Sequence, residues 1–561
     1  MAPSMIPAAT RPRLTSLAIL FFVALVALLY HYTRQPAVDI YQPSPFDLPP
    51  TRGTYCPDGE VKKVAVVGAG SAGASTAYYL HQFAAPCKLN ITVYERSDYI
   101  GGRSTTVNVF DEPLEPVELG ASIFVKVNYN IVSAVERFNL STVSYGGDDL
   151  DGLATGLGIW DGERLVFHQS DGSYSWWNTV KILWKYGLSP IRTQNLMKTT
   201  VNKFLLMYGP PFFPFASIAK ASHVIGLKAA SNPSESFLEE NKIYAPFSTD
   251  IIQASTRVNY AQNLNQIHGL EAMVCMAAEG AMSVHGGNWQ VFDRMLKSDN
   301  NNILLNTNVN EISLTEDEGS YTVESFSMSE SVVGSSPAIK TDTFDAVVIA
   351  SPLQFSNITI NPTPSIYLPS PIPYVKLHVT LFTSPQFFEP ESFNLPPGSM
   401  LPTIVLTTLP NNDTSDPPPF FSISTLRKIT NPNTDPPRRE YLYKVFSPGP
   451  LHPPSLAHLL KPSTEAAASS SSPLEITWQY HKIWHSYPYL PPRVTFDDPQ
   501  LDEAGKLWYT SGIEPFISTM ETSSLMGMNV ARLIVDRWEA EHEDRRAGDR
   551  DGSTRKPAQE L

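Results

Sequence analysis

Cysteine is scarce: Cys56, Cys87 and Cys275 are the only three in 561 residues. Three thiols form at most one disulfide, which excludes a disulfide-stapled scaffold. None of them has metal-ligand spacing, so no metal is expected. An excess of basic charge is also lacking. The formal net charge is −14 and no broad basic stripe is visible, which argues against a nucleic-acid partner. No internal repeat is present, which excludes a solenoid or propeller array. What remains is globular material. Hydrophobic residues make up 42% of a chain longer than one core usually organises, so two or more domains are expected.

Long hydrophobic runs are confined to one place. Arg11 and Arg13 precede an uncharged run from Leu14 to Tyr30. It is a little short for a relaxed span of about 20 residues. It is long for a signal-peptide core, and no A-x-A site follows it closely. An uncleaved signal anchor and a cleaved signal peptide both remain open. Either directs the rest of the chain to the lumenal side of the secretory pathway, since the basic residues stay cytoplasmic. Lysosome or vacuole, secretion, and a membrane contact through this segment are the destinations left open. N-x-[ST] sequons at Asn90, Asn139, Asn357 and Asn412 are candidate glycosylation sites in that setting. Residues 34–60 read as a Pro-rich linker.

The first chemistry-bearing motif is "VAVVGAGSAGAST", residues 64–76. A β-branched strand runs into Gly68, Gly70 and Gly73, and a helix of small and apolar residues follows. In a strand–turn–helix unit the first glycine permits the tight turn. The second lets a pyrophosphate approach the backbone, and the third lets the helix pack on the strand. The helix N-terminus favours phosphate. A second strand, "NITVYER", ends in Glu95, placed to accept ribose hydroxyls. "RSDYIGGRSTTV" then brings Gly101, Gly102 and Arg103, a second glycine turn that an NAD-only unit does not need.

This second turn resembles the FAD-binding domain shared by amine oxidases and related flavoenzymes, where it runs beside the pyrophosphate. "DAVVIASP" (Asp345–Pro352) resembles a later strand of the same sheet, and "WYTSGIEPFISTMETS" resembles the flavin-contacting C-terminal segment. The resemblance implies FAD contacts at Ser71, Ala72, Arg96 and Val309. It also implies contacts at Gly120, Ala121 and Ser122 of "ELGAS", and at Gly512, Glu514, Met520 and Glu521. A helix beginning near Met520, with Ser518 or Thr519 as cap, would favour the negative charge of a reduced ring.

The central stretch "TRVNYAQNLNQIHGLEAMVCMAAEGAMSVHGGNWQVFDRML" (Thr256–Leu296) is similar to prenylcysteine oxidases, and the other motifs fit that family in order. The resemblance covers most of Val61–Trp538. It implies an FAD-dependent thioether oxidase acting on farnesyl- or geranylgeranyl-cysteine with O2 and water. The products would be cysteine, an isoprenoid aldehyde and hydrogen peroxide, in the breakdown of prenylated proteins. C1 of the prenyl group is allylic and next to sulfur, so hydride loss there is doubly favoured, and a strong protein base is not obviously required.

Substrate-side candidates are Arg257 for the carboxylate, Tyr260, Asn288, and His268 or His285 to position water. Trp176, Trp177, Trp184, Tyr186, Phe212 and Phe213 are candidates for an apolar slot or a membrane contact, against the plainer reading that they are core. No residue has a catalytic assignment. An amine or polyamine oxidase, and a flavin-binding membrane protein without turnover, are the alternatives.

The expected fold is α/β: a Rossmann-like FAD-binding domain of discontinuous segments with an α+β substrate domain, preceded by an N-terminal hydrophobic helix. Residues 1–33 form the signal segment. FAD-binding parts fall at 61–140, 301–355 and 501–540. Substrate-domain parts fall at 141–300 and at 356–500, the latter Pro-rich, irregular and interrupted by a disordered insertion at "STEAAASSSSPLE". Residues 541–561 read as a disordered tail.

Overall fold

The computed structural model describes residues 61–144, 156–170, 176–315, 319–329, 338–361, 366–399, 401–410, 416–451, 456 and 475–553. The N-terminal hydrophobic run, the linker, Asn412 and residues 463–474 of the serine-rich insertion lie outside them. Among the described residues no helix is long and apolar enough to cross a membrane.

The nucleotide-binding half is built on five parallel strands: β1 (Val61–Val67), β2 (Lys88–Tyr94), β3 (Asn302–Leu304), β4 (Ala346–Ile349) and β5 (Leu507–Tyr509). Their spatial order is β5-β4-β1-β2-β3. Val64 lies opposite Ala346 on one side and Ile91 on the other. Each strand of the centre is a short continuous apolar run because both faces are covered. Val64–Val67, Ile91–Tyr94 and Ala346–Ile349 are buried without alternation. Helix α1 (Ser71–Phe83) links β1 to β2. A second, largely antiparallel sheet (Thr307–Thr315, Ser320–Ser327, Ile339–Phe344, with Thr359–Ile360) closes one face. There Val309, Ile312, Tyr321 and Phe344 share a core with Tyr94, Ile349 and Leu507.

The other half joins helices between residues 176 and 275 to a seven-stranded sheet. Its order is Trp478–Pro488, Tyr374–Ser384, Arg438–Ser447, Ser422–Asn431, Ile404–Thr407, Gly156–Trp160, Leu165–Ser170. Five of those strands come from the Pro-rich 356–500 stretch, which the sequence pattern had left irregular. The prolines sit in the connections and at one strand end, while runs such as "YVKLHVTLFTS" are proline-free and pair over most of their length. Two helices of this half frame the site below: α2 (Gln253–Tyr260) and α3 (Gly269–Cys275).

The last helix, α4, runs Met520–Ser553. The expected disordered tail is therefore helical as far as Ser553, and residues 554–561 lie outside the described chain. The extension needs no core. It is highly charged, and i,i+4 pairs such as Arg537–Glu541 (3.2 Å) support its start from the surface.

Where α4 crosses α1, small residues bring the backbones together. A Cβ on Gly527 would lie 2.3 Å from the Ala72 carbonyl oxygen, and Ser75 and Ser524 share a 2.6 Å hydrogen bond. Gly527→Ala therefore forces the helices apart. It is expected to cost about 1–3 kcal/mol, read as a lowered Tm, whereas Gly449→Ala, with nothing within 4 Å, leaves Tm unchanged.

Candidate cofactor and substrate site

The turn after β1 separates the roles of its three glycines. Gly68 has φ +115°, and a Cβ there would lie 2.8 Å from the Ala350 carbonyl oxygen. A Cβ on Gly73 would lie 1.9 Å from the Gly68 oxygen. The chain itself requires both. At Gly70 a Cβ would meet nothing nearer than 3.8 Å, so that glycine is not explained by the protein's own packing. The second turn closes on the first. Gly101 donates its N–H to the Ala69 oxygen at 3.0 Å, and a Cβ on Gly102 would sit 3.3 Å from the Gly70 Cα. Helix α1 starts at Ser71 with no side-chain cap and no acid in its first turn, which leaves amide donors for phosphate. Ser71 ties that start to α4 by donating to the Met520 oxygen at 2.6 Å. Ala72 is buried beside it.

Glu95 closes β2 and is buried. Its Oε2 accepts the Ala69 N–H (2.9 Å) and its Oε1 the Ser97 N–H (2.8 Å), so the carboxylate braces the turn itself. Each oxygen keeps a further lone pair for a ribose hydroxyl. Arg96 points to the Phe355 carbonyl oxygen at 2.6 Å and is exposed.

Arg103 makes a two-pronged ion pair with Glu514, both contacts 2.8 Å, and donates to the Ser486 oxygen at 2.8 Å. Tyr374 donates to the same carboxylate at 3.0 Å. Burial works to lower the Arg103 pKa, and the Glu514 carboxylate more than offsets it, so the guanidinium stays charged. Gly512 is fixed by close approach: a Cβ would lie 2.3 Å from the Asp497 oxygen.

The side chain of Glu521 corrects an expectation. Its oxygens accept from the N–H groups of Asn130 (2.8 Å) and Ile131 (3.0 Å) and from the Tyr208 hydroxyl (2.6 Å). It therefore caps the helix Tyr129–Arg137 and is not turned to a cofactor. Burial pushes its pKa up to about 7 against those hydrogen bonds.

The loop Gly120–Ser122 is pinned from several sides. Asn288 is fully buried; its N–H goes to Glu118 Oε1 (2.5 Å), its amide to the Ala121 oxygen (2.8 Å), and its Oδ1 takes the Val284 N–H. Asn288 is thus a brace for the loop. Lys444 donates to Ser122 Oγ at 2.9 Å. A Cβ on Gly120 would lie 2.7 Å from the Trp484 ring.

The substrate-side candidates divide. Arg257 is 4% exposed and spends its donors on Thr407, Asn263 and the Phe420 carbonyl, knitting α2 to the seven-stranded sheet. Burial pulls its pKa down to about 10. It is not presented to a ligand. Tyr260 donates to the Ser518 oxygen at 3.1 Å, and its ring meets Tyr487 at 5.2 Å, so it does stand at the segment leading into α4. His268 is a buried cap of α3: Nδ1 accepts the Glu271 N–H and Nε2 lies 3.3 Å from the Pro515 oxygen. Burial drives its pKa down to about 4, so it stays neutral, and both nitrogens are engaged rather than left for water. His285 is exposed on a surface pocket of about 480 Å³ with Trp289, Gln290 and Thr106.

The aromatic slot does not form as grouped. Tyr186 is core, against Phe247, and Phe213 is core, against Phe83. Trp184 is 92% exposed. The side chains of Trp176 and Trp177 lie outside the described ones.

Sequence reasoning missed several polar groups. Ser104 Oγ, Glu118 Oε2, Trp484 Nε1 and Ser486 Oγ are buried with no hydrogen-bond partner among the described residues. All lie on or against the two glycine turns, Arg103 and the 118–122 loop. Each unpaired polar atom costs about 1–3 kcal/mol; the hydroxyls of Ser104 and Ser486 and the indole N–H of Trp484 can donate, which suits a long polar ligand with phosphates and a heteroaromatic ring, as FAD is. Glu118 stood inside the "ELGAS" motif and Ser104 inside "RSDYIGGRSTTV". Trp484 and Ser486 sit in a segment without a recognisable pattern.

Glu271 on α3 was also missed. It is fully buried beneath the same segment, faced by the Tyr260 hydroxyl, the Ser518 amide, Cys275 and His268, yet neither carboxylate oxygen has a hydrogen bond of ordinary geometry. Burial pushes its pKa up to about 8 from 4.5.

Two outcomes follow. Gly70→Ala leaves the apoprotein Tm little changed and lowers the flavin retained on purification, measured by the visible-to-280-nm absorbance ratio, roughly tenfold; Gly73→Ala prevents folding. The folded state holds the Glu271 proton between pH 4.5 and about 8, so wild-type stability falls as pH rises through that window. The unfolding free energy of Glu271→Gln relative to wild type should rise across it, by at most about 1.4 kcal/mol per pH unit, read by denaturant titration at several pH values.

Comparison with known proteins gives this cradle its setting. The family model described as prenylcysteine lyase matches residues 169–546, and one described as an NAD(P)-binding Rossmann-like domain matches residues 66–138. Farnesylcysteine lyase of Arabidopsis thaliana is 30% identical over 502 residues, covering 86% of this chain and 89% of that protein. Prenylcysteine oxidase 1 of Rattus norvegicus is 30% identical over 509 residues, covering 86% and 90%. Among solved structures, cyclohexylamine oxidase from Brevibacterium oxydans IH-35A aligns with a TM-score of 0.52 at 16% identity, covering 85% of this chain and 99% of that one. Putrescine oxidase bound to putrescine aligns at 0.51 and 14%, covering 84% and 98%, a likeness of fold alone. With its family match spanning residues 169–546, the chain belongs to the prenylcysteine lyase family.

Proposed function

We infer that the protein is an FAD-dependent prenylcysteine oxidase. It cleaves the thioether of farnesyl- or geranylgeranyl-cysteine with O2 and water to give cysteine, the isoprenoid aldehyde and hydrogen peroxide. The observation that carries this is the likeness to farnesylcysteine lyase and prenylcysteine oxidase 1 across 86% of the chain, with both glycine turns intact.

The chain's residues divide the work. The start of α1 and the paired turns at Gly70 and Gly101 hold the pyrophosphate. Glu95 offers its remaining lone pairs to the ribose. Arg103, fixed by Glu514, Tyr374 and Ser486, holds the FAD-binding segments and the substrate sheet in one position, so that the reacting carbon is oriented. Bound FAD supplies the acceptor for hydride lost from the allylic, sulfur-bearing C1 and passes the electrons on to oxygen. Water adds at the carbon that lost hydride, and the C–S bond breaks toward cysteine.

The setting is proposed as the lumenal side of the secretory pathway. Cys87 in a disulfide and the exposed sequons at Asn90, Asn139 and Asn357 support it. The N-terminal hydrophobic run supports a membrane contact there.

Mixing the purified protein with farnesylcysteine in the absence of oxygen should bleach the flavin band near about 450 nm, and readmitting oxygen should restore it. Bleaching by amines but by no thioether would overturn the reading in favour of an amine oxidase. A protein that binds no flavin would overturn both.

A further inference from the structure

A prenylcysteine has an uncharged hydrocarbon end and a zwitterionic amino-acid end. The second must be met by charge. Arg257, the one residue the sequence suggested for it, is occupied by Thr407, Asn263 and Phe420. The reacting C1 lies only a few bonds from the amino-acid carbon. The groups that meet the head must therefore lie close to the loop that borders the ring.

One pair of side chains answers that description. Lys444, on the strand Arg438–Ser447, is 5% exposed. Its ammonium donates to Ser122 Oγ (2.9 Å) and to the Glu118 carbonyl oxygen (3.2 Å) and lies 5.6 Å from the Phe446 ring. An ammonium has three N–H donors, and the third has no hydrogen-bond acceptor among the described residues. Glu118 stands at the head of the same loop. One carboxylate oxygen takes the Asn288 N–H, and the other is buried without a partner. Lys444 and the Glu118 carboxylate form no ion pair within 4 Å among the described residues. An acid and a base are thus anchored to one loop, each with unused hydrogen-bonding capacity and with no direct ion pair between them. Burial opposes both charged forms, raising the Glu118 pKa and lowering that of Lys444. A dipolar ligand relieves both costs at once, which a hydrocarbon or a singly charged group does not.

We propose that Lys444 and Glu118 receive the zwitterionic end of the thioether substrate, the Lys444 ammonium meeting the α-carboxylate and the free Glu118 oxygen meeting the α-ammonium. This rests on the thioether-oxidase reading above. It adds what selects an intact amino-acid head group over other prenyl thioethers. Asn288, which holds Glu118, is a positioning residue in this scheme, as is Ser122.

The test is calorimetric binding to the FAD-loaded full chain of three probes that lack the reactive allylic carbon: S-dodecyl-L-cysteine, dodecylthio-propionic acid without the amino group, and dodecylthio-ethylamine without the carboxylate. Wild type should bind the zwitterion roughly ten- to a hundredfold tighter than either truncated probe. Glu118→Gln should abolish the preference for the amino group and keep that for the carboxylate, and Lys444→Met should do the reverse. Retained flavin absorbance reports that the variants are folded. Should either fail to fold, Glu118→Asp and Lys444→Arg keep the charges and are expected to keep both preferences with weakened binding. Equal binding of the three probes by wild type, or wild-type preferences in Glu118→Gln and Lys444→Met, would overturn the assignment while leaving thioether oxidation standing. No binding of any probe, together with flavin bleaching by amines alone, would remove the thioether reading and this proposal with it.

Discussion

The ion pair between Arg103 and Glu514 is where the molecule is held together. Arg103 follows the second glycine turn, Glu514 precedes the last helix, and Tyr374 and Ser486, which complete the contact, belong to neighbouring strands of the seven-stranded sheet. Segments hundreds of residues apart therefore converge on one planar, two-pronged contact. A guanidinium suits that task because its donors are fixed in a fork that a carboxylate matches. The pair also explains how a nucleotide-binding half assembled from discontinuous pieces keeps a single geometry relative to the seven-stranded sheet.

Around that joint the protein leaves polar groups unpaired where a core would normally satisfy them. Ser104, Glu118, Trp484 and Ser486 all border the glycine turns or the 118–122 loop. Unpaired buried groups are unfavourable in isolation; others, such as those of Thr193, Asn202 and Asn310, are scattered through the fold, whereas these four border one another's segments and can be met by one ligand. The acids of this region are treated differently from one another. Glu514 is paired by Arg103 and Tyr374, Glu521 is spent on a helix start, Glu271 faces the Tyr260 hydroxyl and the Ser518 amide without a hydrogen bond of ordinary geometry, and one oxygen of Glu118 is left without a partner. Sequence spacing alone does not distinguish these fates.

Much of the nucleotide-binding half was legible because its constraints are local. The strand–glycine–helix pattern, Glu95 at a strand end, "DAVVIASP" as a buried strand and a helix starting at Met520 all depend on neighbours in the chain. The other half was not. Its sheet is built from proline-flanked strands whose partners are distant, so "YVKLHVTLFTS" gives no sign of lying between Trp478–Pro488 and Arg438–Ser447. The same reason hid the site groups. Lys444 is one lysine among many until the fold sets it against Ser122, and Gly527 looks like an ordinary helix glycine until α1 lies across it. Arg257 erred the other way. Its residue type suggested an anion, and only the fold supplies the neutral acceptors that occupy it.

The central claim is that the cradle binds FAD to oxidise a carbon–sulfur bond. A single-turnover experiment without oxygen tests it most directly, with flavin absorbance and free thiol measured together after mixing the protein with farnesylcysteine. Thiol released in equimolar amount to flavin reduced, with the matching isoprenoid aldehyde, is the predicted result. Flavin reduced without thiol, or no reduction by the thioether at all, would contradict the account.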